Sequence, residues 1–214
     1  MNRIRSAYDT LLREFGHQDW WPSESTFETA VGAVLTQGTA WVNAERAVAS
    51  LRSAAALTPE GLGALTREHV ESLVRPAGFH RRKAASLKKL VGLVGGRSQG
   101  WNAFLALPSE RARGALLEVP GIGPETADAI LLYAAERPVF VVDEYTRRFS
   151  ARHGLSRARA GYDALQSLFE SSLPRDAALF AEYHALLVKL GKDFCKTKPL
   201  CEMCPLRADL PQGP

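Results

Sequence analysis

Leu116-Leu117-Glu118-Val119-Pro120-Gly121-Ile122-Gly123-Pro124-Glu125-Thr126-Ala127-Asp128-Ala129-Ile130 decides how the chain is read. Apolar residues at helical spacing flank Pro-Gly-Ile-Gly, Pro124 suits the first turn of a helix, and the two glycines permit a turn that bulkier residues would strain. The stretch predicts two helices joined by a hairpin. Backbone N–H groups near Gly121, Gly123 and Glu125, with Thr126 one position further on, then stand at a helix N-terminus. There the orphan donors and the helix dipole suit a phosphate oxygen. The turn would grip a nucleic-acid backbone without reading its sequence. A plain αα-corner with Ile122 plugging the core would use the same residues.

Outward from the hairpin, apolar residues recur at helical spacing almost throughout, for example Phe27, Val31, Val34 and Leu35, or Leu186, Leu187 and Leu190. The expected class is all-α, with nine or ten helices separated by Pro and Gly breaks such as Arg75-Pro76-Ala77-Gly78 and Gly95-Gly96. Val139-Phe140-Val141-Val142 is too short to argue for a sheet and reads as a buried connector. With 214 residues, 46% of them apolar and 23% charged with both signs mixed, the chain is neither a disordered polyelectrolyte nor collagen-like. The charge-free stretch from Thr29 to Ala44 is too short to span a bilayer and carries polar residues, so no membrane association is expected. The first residues show no apolar signal region, and a cytoplasmic location is the expectation.

Downstream of the hairpin, Val141-Val142-Asp143-Glu144-Tyr145 sets a carboxylate directly after an apolar run and at the start of a helical pattern. Asp143 is therefore an N-cap, a catalytic acid at a cleft edge, or both. Cys195, Cys201 and Cys204 fall within ten residues and the chain has no other cysteine. That distribution excludes a disulfide framework and points to a metal or iron–sulfur site. A formal net charge of +4 tilts the surface toward anionic partners.

The hairpin followed by Asp143 closely resembles the helix-hairpin-helix DNA glycosylase superfamily, in its endonuclease III group. The resemblance takes in Gly32-Ala33-Val34-Leu35-Thr36-Gln37, Gly78-Phe79, Pro120 to Ala127, Val142-Asp143 and the C-terminal cysteines. It implies two helical lobes with a DNA-binding cleft: residues 26–137 with the hairpin in one, and residues 1–25 with 138–214 in the other. It also implies base excision by a monomer, with a damaged nucleotide turned out of double-stranded DNA into a pocket. On this resemblance Asp143 is the catalytic carboxylate, which stabilises the cationic sugar and orients the attacking water. Gln37 matches the residue that fills the gap left in the duplex, and Phe79 falls at the apolar wedge between bases. Arg81, Arg82, Lys83, Lys88 and Lys89 read either as phosphate contacts or as a solvated helix face.

Members of the group that also cut the strand carry a Lys two residues after the second hairpin glycine, whose amine forms a Schiff base with the sugar. Glu125 stands there in this chain, so a monofunctional enzyme with absent or weak lyase activity is expected. Trp20-Trp21-Pro22 and Trp41 resemble the aromatic base pocket of the 3-methyladenine DNA glycosylase III branch, and electron-rich rings would select a positively charged alkylated purine. Packing of a lobe junction would use the same aromatics. Cys195-x5-Cys201-x2-Cys204 resembles the group's [4Fe–4S] loop, with the fourth cysteine replaced by Leu210. Three thiolates can hold a cubane if Asp209, a His or solvent supplies the fourth ligand; zinc or an empty loop are the alternatives. Two other functions stay open: a non-catalytic binder of damaged DNA, and an endonuclease III-like glycosylase on oxidised pyrimidines with weak lyase activity.

Overall fold

The computed structural model describes residues 2–157 and 159–210. Among them are twelve α-helices, three short 3-10 helices and no strand. Twelve helices exceed the nine or ten expected, because segments as short as six and seven residues stand as helices of their own, each started by a threonine cap, Thr58 or Thr66. The chain divides into two compact units, Met1–Pro22 with Arg137–Pro214, and Ser23–Glu136.

The first unit opens with α1 (Arg3–Phe15), started by the Asn2 side chain accepting from the N–H of Arg5. The second unit then runs through α2 (Thr26–Leu35), α3 (Trp41–Ser53), α4 (Pro59–Ala64), α5 (Arg67–Leu73), α6 (His80–Leu93), α7 (Ser98–Leu105), α8 (Ser109–Leu117) and α9 (Pro124–Tyr133). Its centre is α2, buried at every position from Phe27 to Leu35 and packed against α3, α6 and α9. The sequence explains that burial, since from Phe27 to Leu35 Glu28 is the single charge, and Arg52 of α3 meets it at 2.5 Å.

The chain returns to the first unit with α10 (Glu144–Arg152), α11 (Tyr162–Ser172) and α12 (Ala177–Asp193). An aromatic cluster fills this unit: Phe140 stacks on Phe169 at 4.3 Å and meets Phe180 and Tyr183 edge-on. The Tyr183 hydroxyl donates to the Ile4 carbonyl at 2.9 Å, tying α12 to α1. The segment Val139-Phe140-Val141-Val142 is a connector whose last three residues are buried. Its backbone is satisfied by side chains of α11, because Glu170 accepts from the Phe140 N–H and Gln166 donates to the Phe140 carbonyl. That connector delivers the next residue, Asp143, to the start of α10.

Candidate functional site

In the second unit, α8 and α9 form the hairpin. Arg113 of α8 clasps Asp128 of α9 with two parallel hydrogen bonds, 2.7 and 3.1 Å, and Asp128 is fully buried. Paired N–H donors from one guanidinium are the strong, orienting form of this contact. Ile122 turns into the core at 4% exposure, while Gly121, Gly123 and Glu125 face solvent. Gly121 has φ +91°, and a Cβ there would overlap the Ser86 hydroxyl, which itself donates to the Pro120 carbonyl at 2.6 Å. Only glycine meets both conditions. No side chain caps α9, so its first-turn N–H groups point out of the helix toward any anion placed there.

Two loops stand beside this turn. Gln37, half-buried after α2, donates through its amide to the Gly121 carbonyl at 2.9 Å and to the Thr126 hydroxyl at 2.7 Å. Its nitrogen thus braces the hairpin, a contact that sequence reasoning did not foresee. Phe79, 64% exposed, starts α6 with φ +45°, a left-handed conformation unusual for a bulky residue. Gln37, Gly38, Phe79, Arg82, Lys83, Ser86 and Gly121 line a cavity of about 210 Å³.

Lys83 and Lys88 are not on a solvated face, and neither is placed as a phosphate contact. Lys83 is 2% exposed and donates to the carbonyls of Leu35 and Ala77, both at 2.8 Å. It ties the ends of the two segments that lead into the Gln37 and Phe79 loops. Burial pushes its ammonium down to about 8. Lys88 donates to the carbonyls of Leu62, Gly63 and Leu65, closing the end of α4. Arg81, Arg82 and Lys89 remain exposed.

In the first unit, Asp143 is the N-cap of α10. Its Oδ1 accepts from the Thr146 N–H at 2.7 Å and from the Thr146 hydroxyl at 2.9 Å. Its Oδ2 lies 3.6 Å from Nε2 of His184 on α12. Burial acts to raise the carboxyl pKa, but the His184 side chain and the two Thr146 donors outweigh it and hold Asp143 below the usual carboxylate value. The pair forms because α10 lies close on α12, at Gly191, where a Cβ would overlap the Tyr145 ring. His184 is absent from the sequence expectations. Asp143 is therefore a cap and an ionised buried carboxylate at once, with one oxygen committed to the helix and the other beside an imidazole.

A family model for the HhH-GPD superfamily of base excision DNA repair proteins matches residues 31–175. The chain belongs to that superfamily. A Methanocaldococcus jannaschii protein described as a DNA repair glycosylase is 41% identical over 207 residues, 95% of this chain and 94% of that one. The fold matches a trapped endonuclease III–DNA covalent intermediate with TM-score 0.82 at 23% identity, covering 97% of this chain and 94% of that chain. It also matches Helicobacter pylori 3-methyladenine DNA glycosylase bound to 1,N6-ethenoadenine, with TM-score 0.75 at 28% identity, covering 90% and 98%.

Trp20 and Trp21 are half-buried, with ring centroids 5.7 Å apart and edge-on; Pro22 is exposed. The Lys192 ammonium sits 5.5 Å from the Trp20 ring centroid. Trp41 is half-buried at the start of α3, in the other unit. Trp101 is core, stacked on Phe104 and bonded to Thr26.

Cys195, Cys201 and Cys204 line one cavity together with Arg152, His153 and Leu210. Arg152 donates to the Cys195 sulfur at 3.1 Å and to the carbonyls of Lys196 and Thr197. Arg148 holds the Cys195 carbonyl. Among the described residues no three His, Cys, Asp or Glu side chains are grouped to hold a single metal ion. Three thiols lining one cavity suit an iron–sulfur cluster, in which each iron takes its own ligand. The donor set and the guanidinium on Cys195 thus suit an iron–sulfur cluster.

Proposed function

We propose that the chain is a monofunctional DNA glycosylase that hydrolyses the N-glycosidic bond of alkylated bases in double-stranded DNA. The observation that carries this reading is Asp143, a buried carboxylate held ionised by Thr146 and His184. An ionised carboxylate cannot protonate a leaving base. It can stabilise the positive charge that develops on the sugar as the bond breaks, and accept a proton from the attacking water. An alkylated purine already carries positive charge and leaves without protonation, so its chemistry matches what Asp143 is able to supply.

Glu125, exposed in the first turn of α9, has no amine with which to form an imine. Its charge also suits the helix N-terminus. The half-buried Trp20 and Trp21 support a cationic base, since electron-rich indole rings attract a cation placed over their faces. Likeness to a 3-methyladenine DNA glycosylase bound to 1,N6-ethenoadenine supports a modified purine as the substrate. Phe79, exposed at the start of α6, suits a wedge between bases, and the hairpin turn suits a phosphate. Cys195, Cys201 and Cys204 would hold a [4Fe–4S] cluster, which contributes structural ordering of the basic loop around Lys196 and Lys198 and no chemical step.

A panel of duplexes bearing 3-methyladenine, hypoxanthine, uracil, thymine glycol or an abasic site tests the proposal, with base release and strand cleavage scored separately. The expected result is release of the methylated purine, strand breaks only after alkali, and no covalent adduct trapped by borohydride. Preferential release of thymine glycol with efficient trapping would replace this reading with that of an oxidised-pyrimidine glycosylase and lyase.

A further inference from the structure

The cysteine loop offers three thiols, and Leu210, which stands where the fourth is expected, brings no donor to the cavity it lines. Asp209 beside it turns its backbone carbonyl to Arg3, accepting from Nη2 at 2.9 Å. The same nitrogen donates to the carbonyl of His153 at 2.7 Å. One guanidinium nitrogen thus fastens the turn that carries Leu210 to the end of α10, and His153 becomes a wall of the cavity with the three cysteines.

His153 is 4% exposed, and its Nδ1 is buried without a hydrogen-bond partner. A buried imidazole nitrogen left unsatisfied is unfavourable and calls for an explanation. Packing also holds the His153 ring in place, with the Phe149 ring centroid 4.8 Å away. Missing thiol, adjacent orphan nitrogen and a tether that joins their two segments account for one another.

Resting on the iron–sulfur reading of this loop, we propose that Nδ1 of His153 ligates the fourth iron of a [4Fe–4S] cluster whose other irons are held by Cys195, Cys201 and Cys204. A neutral imidazole in place of a thiolate leaves the site one negative charge short of a four-cysteine set. Histidine ligation therefore shifts the reduction potential upward, as it does where His replaces Cys on one iron of a two-iron centre.

The test uses the full chain purified without oxygen. Wild type should contain about four iron and four acid-labile sulfide per chain. Labelling all histidines with 15N should change a nitrogen coupling in the pulsed EPR spectrum of the reduced cluster, and that coupling should vanish in His153→Leu. His153→Leu should also lose its fourth iron to air at least tenfold faster and leave a three-iron EPR signal. Adding Leu210→Cys to His153→Leu should restore retention and lower the potential relative to wild type. A four-iron cluster without histidine coupling overturns the assignment of His153 and leaves the cluster reading intact; the labelled wild type settles this even where His153→Leu does not fold. Wild type with one zinc, or with no metal, overturns the cluster reading as well. Base release enters neither outcome, so the glycosylase proposal stands or falls separately.

Discussion

Lys83 in the second unit and Asp143 in the first are both buried charged side chains, and the two are treated in opposite ways. Lys83, in the second unit, is held by two backbone carbonyls, and its proton affinity falls to about 8 because burial is the influence that dominates. Asp143, in the first unit, is also buried, yet its carboxyl stays below the usual value because Thr146 and His184 oppose burial. Carbonyl dipoles position a cation without neutralising it, which suits a tie between two loops. Donors gathered on a carboxylate keep it charged, which suits chemistry that needs a negative charge beside a developing cation.

The largest effect expected is at Asp143. Asn retains an oxygen that can accept from the Thr146 N–H, so α10 keeps its cap and thermal stability should change little. Base release under single-turnover conditions should fall by about a hundredfold to a thousandfold, the usual loss when one such electrostatic group is removed. Binding to a lesion-bearing duplex should persist, since a negative charge near phosphates is gone. Release at the wild-type rate from a folded Asp143→Asn protein would end the contrast, leaving both buried charges as structural.

Lys83→Met tests the other side. A lysine whose folded proton affinity lies near 8 binds fewer protons folded than unfolded between pH 8 and about 10.5. Wild-type stability therefore rises, relative to Lys83→Met, as pH increases through that window, and the burial penalty is fully present below it. The difference in unfolding free energy should grow by about 1–2 kcal/mol across the window, less than the full shift implies because solvent screens part of it. Urea unfolding of both proteins at pH 7.5, 9 and 10.5 measures it. A difference that stays flat would show that the carbonyls keep Lys83 charged, and the two sites would then work alike.

The hairpin was legible in the sequence because Pro-Gly-Ile-Gly constrains its own backbone, and Asp143 was legible because a cap acts on the residues next to it. Long-range partners were not. His184 reaches Asp143 only through the packing of α10 on α12, where Gly191 admits Tyr145. Lys83 was masked by the charge run Arg81-Arg82-Lys83, although Lys83, Leu87 and Leu90 follow a helical stripe and all are buried. That spacing was the signal that could have found it. The sequence marks Gln37 only by its resemblance to a gap-filling residue, while its bonds to Gly121 and Thr126 depend on α2 lying against α9. Helix type and caps are local properties, whereas which side chains meet is decided by packing.

The smallest effect predicted sharpens the Asp143 side of the comparison and concerns His184. Burial is the strongest single influence on the Asp143 carboxyl, and His184 is the largest of the influences that oppose it. His184→Leu keeps an apolar group of similar size in a buried position but removes the imidazole, leaving Thr146 alone against burial. The proton affinity of Asp143 should then rise. Because the carboxylate is the working form, the acid limb of the pH–rate profile should move to higher pH. At neutral pH the rate should change little, since a carboxyl that starts below its usual value stays ionised there after a modest rise. The same sign governs stability: a depressed carboxyl stabilises the fold above the unfolded value near 3.9, and that contribution fades as pH falls through the folded value. His184→Leu should therefore shrink the stability difference between pH 6 and pH 3 relative to wild type. An acid limb that does not move would assign the whole of Asp143's ionisation to Thr146 and reduce His184 to a packing residue of α12.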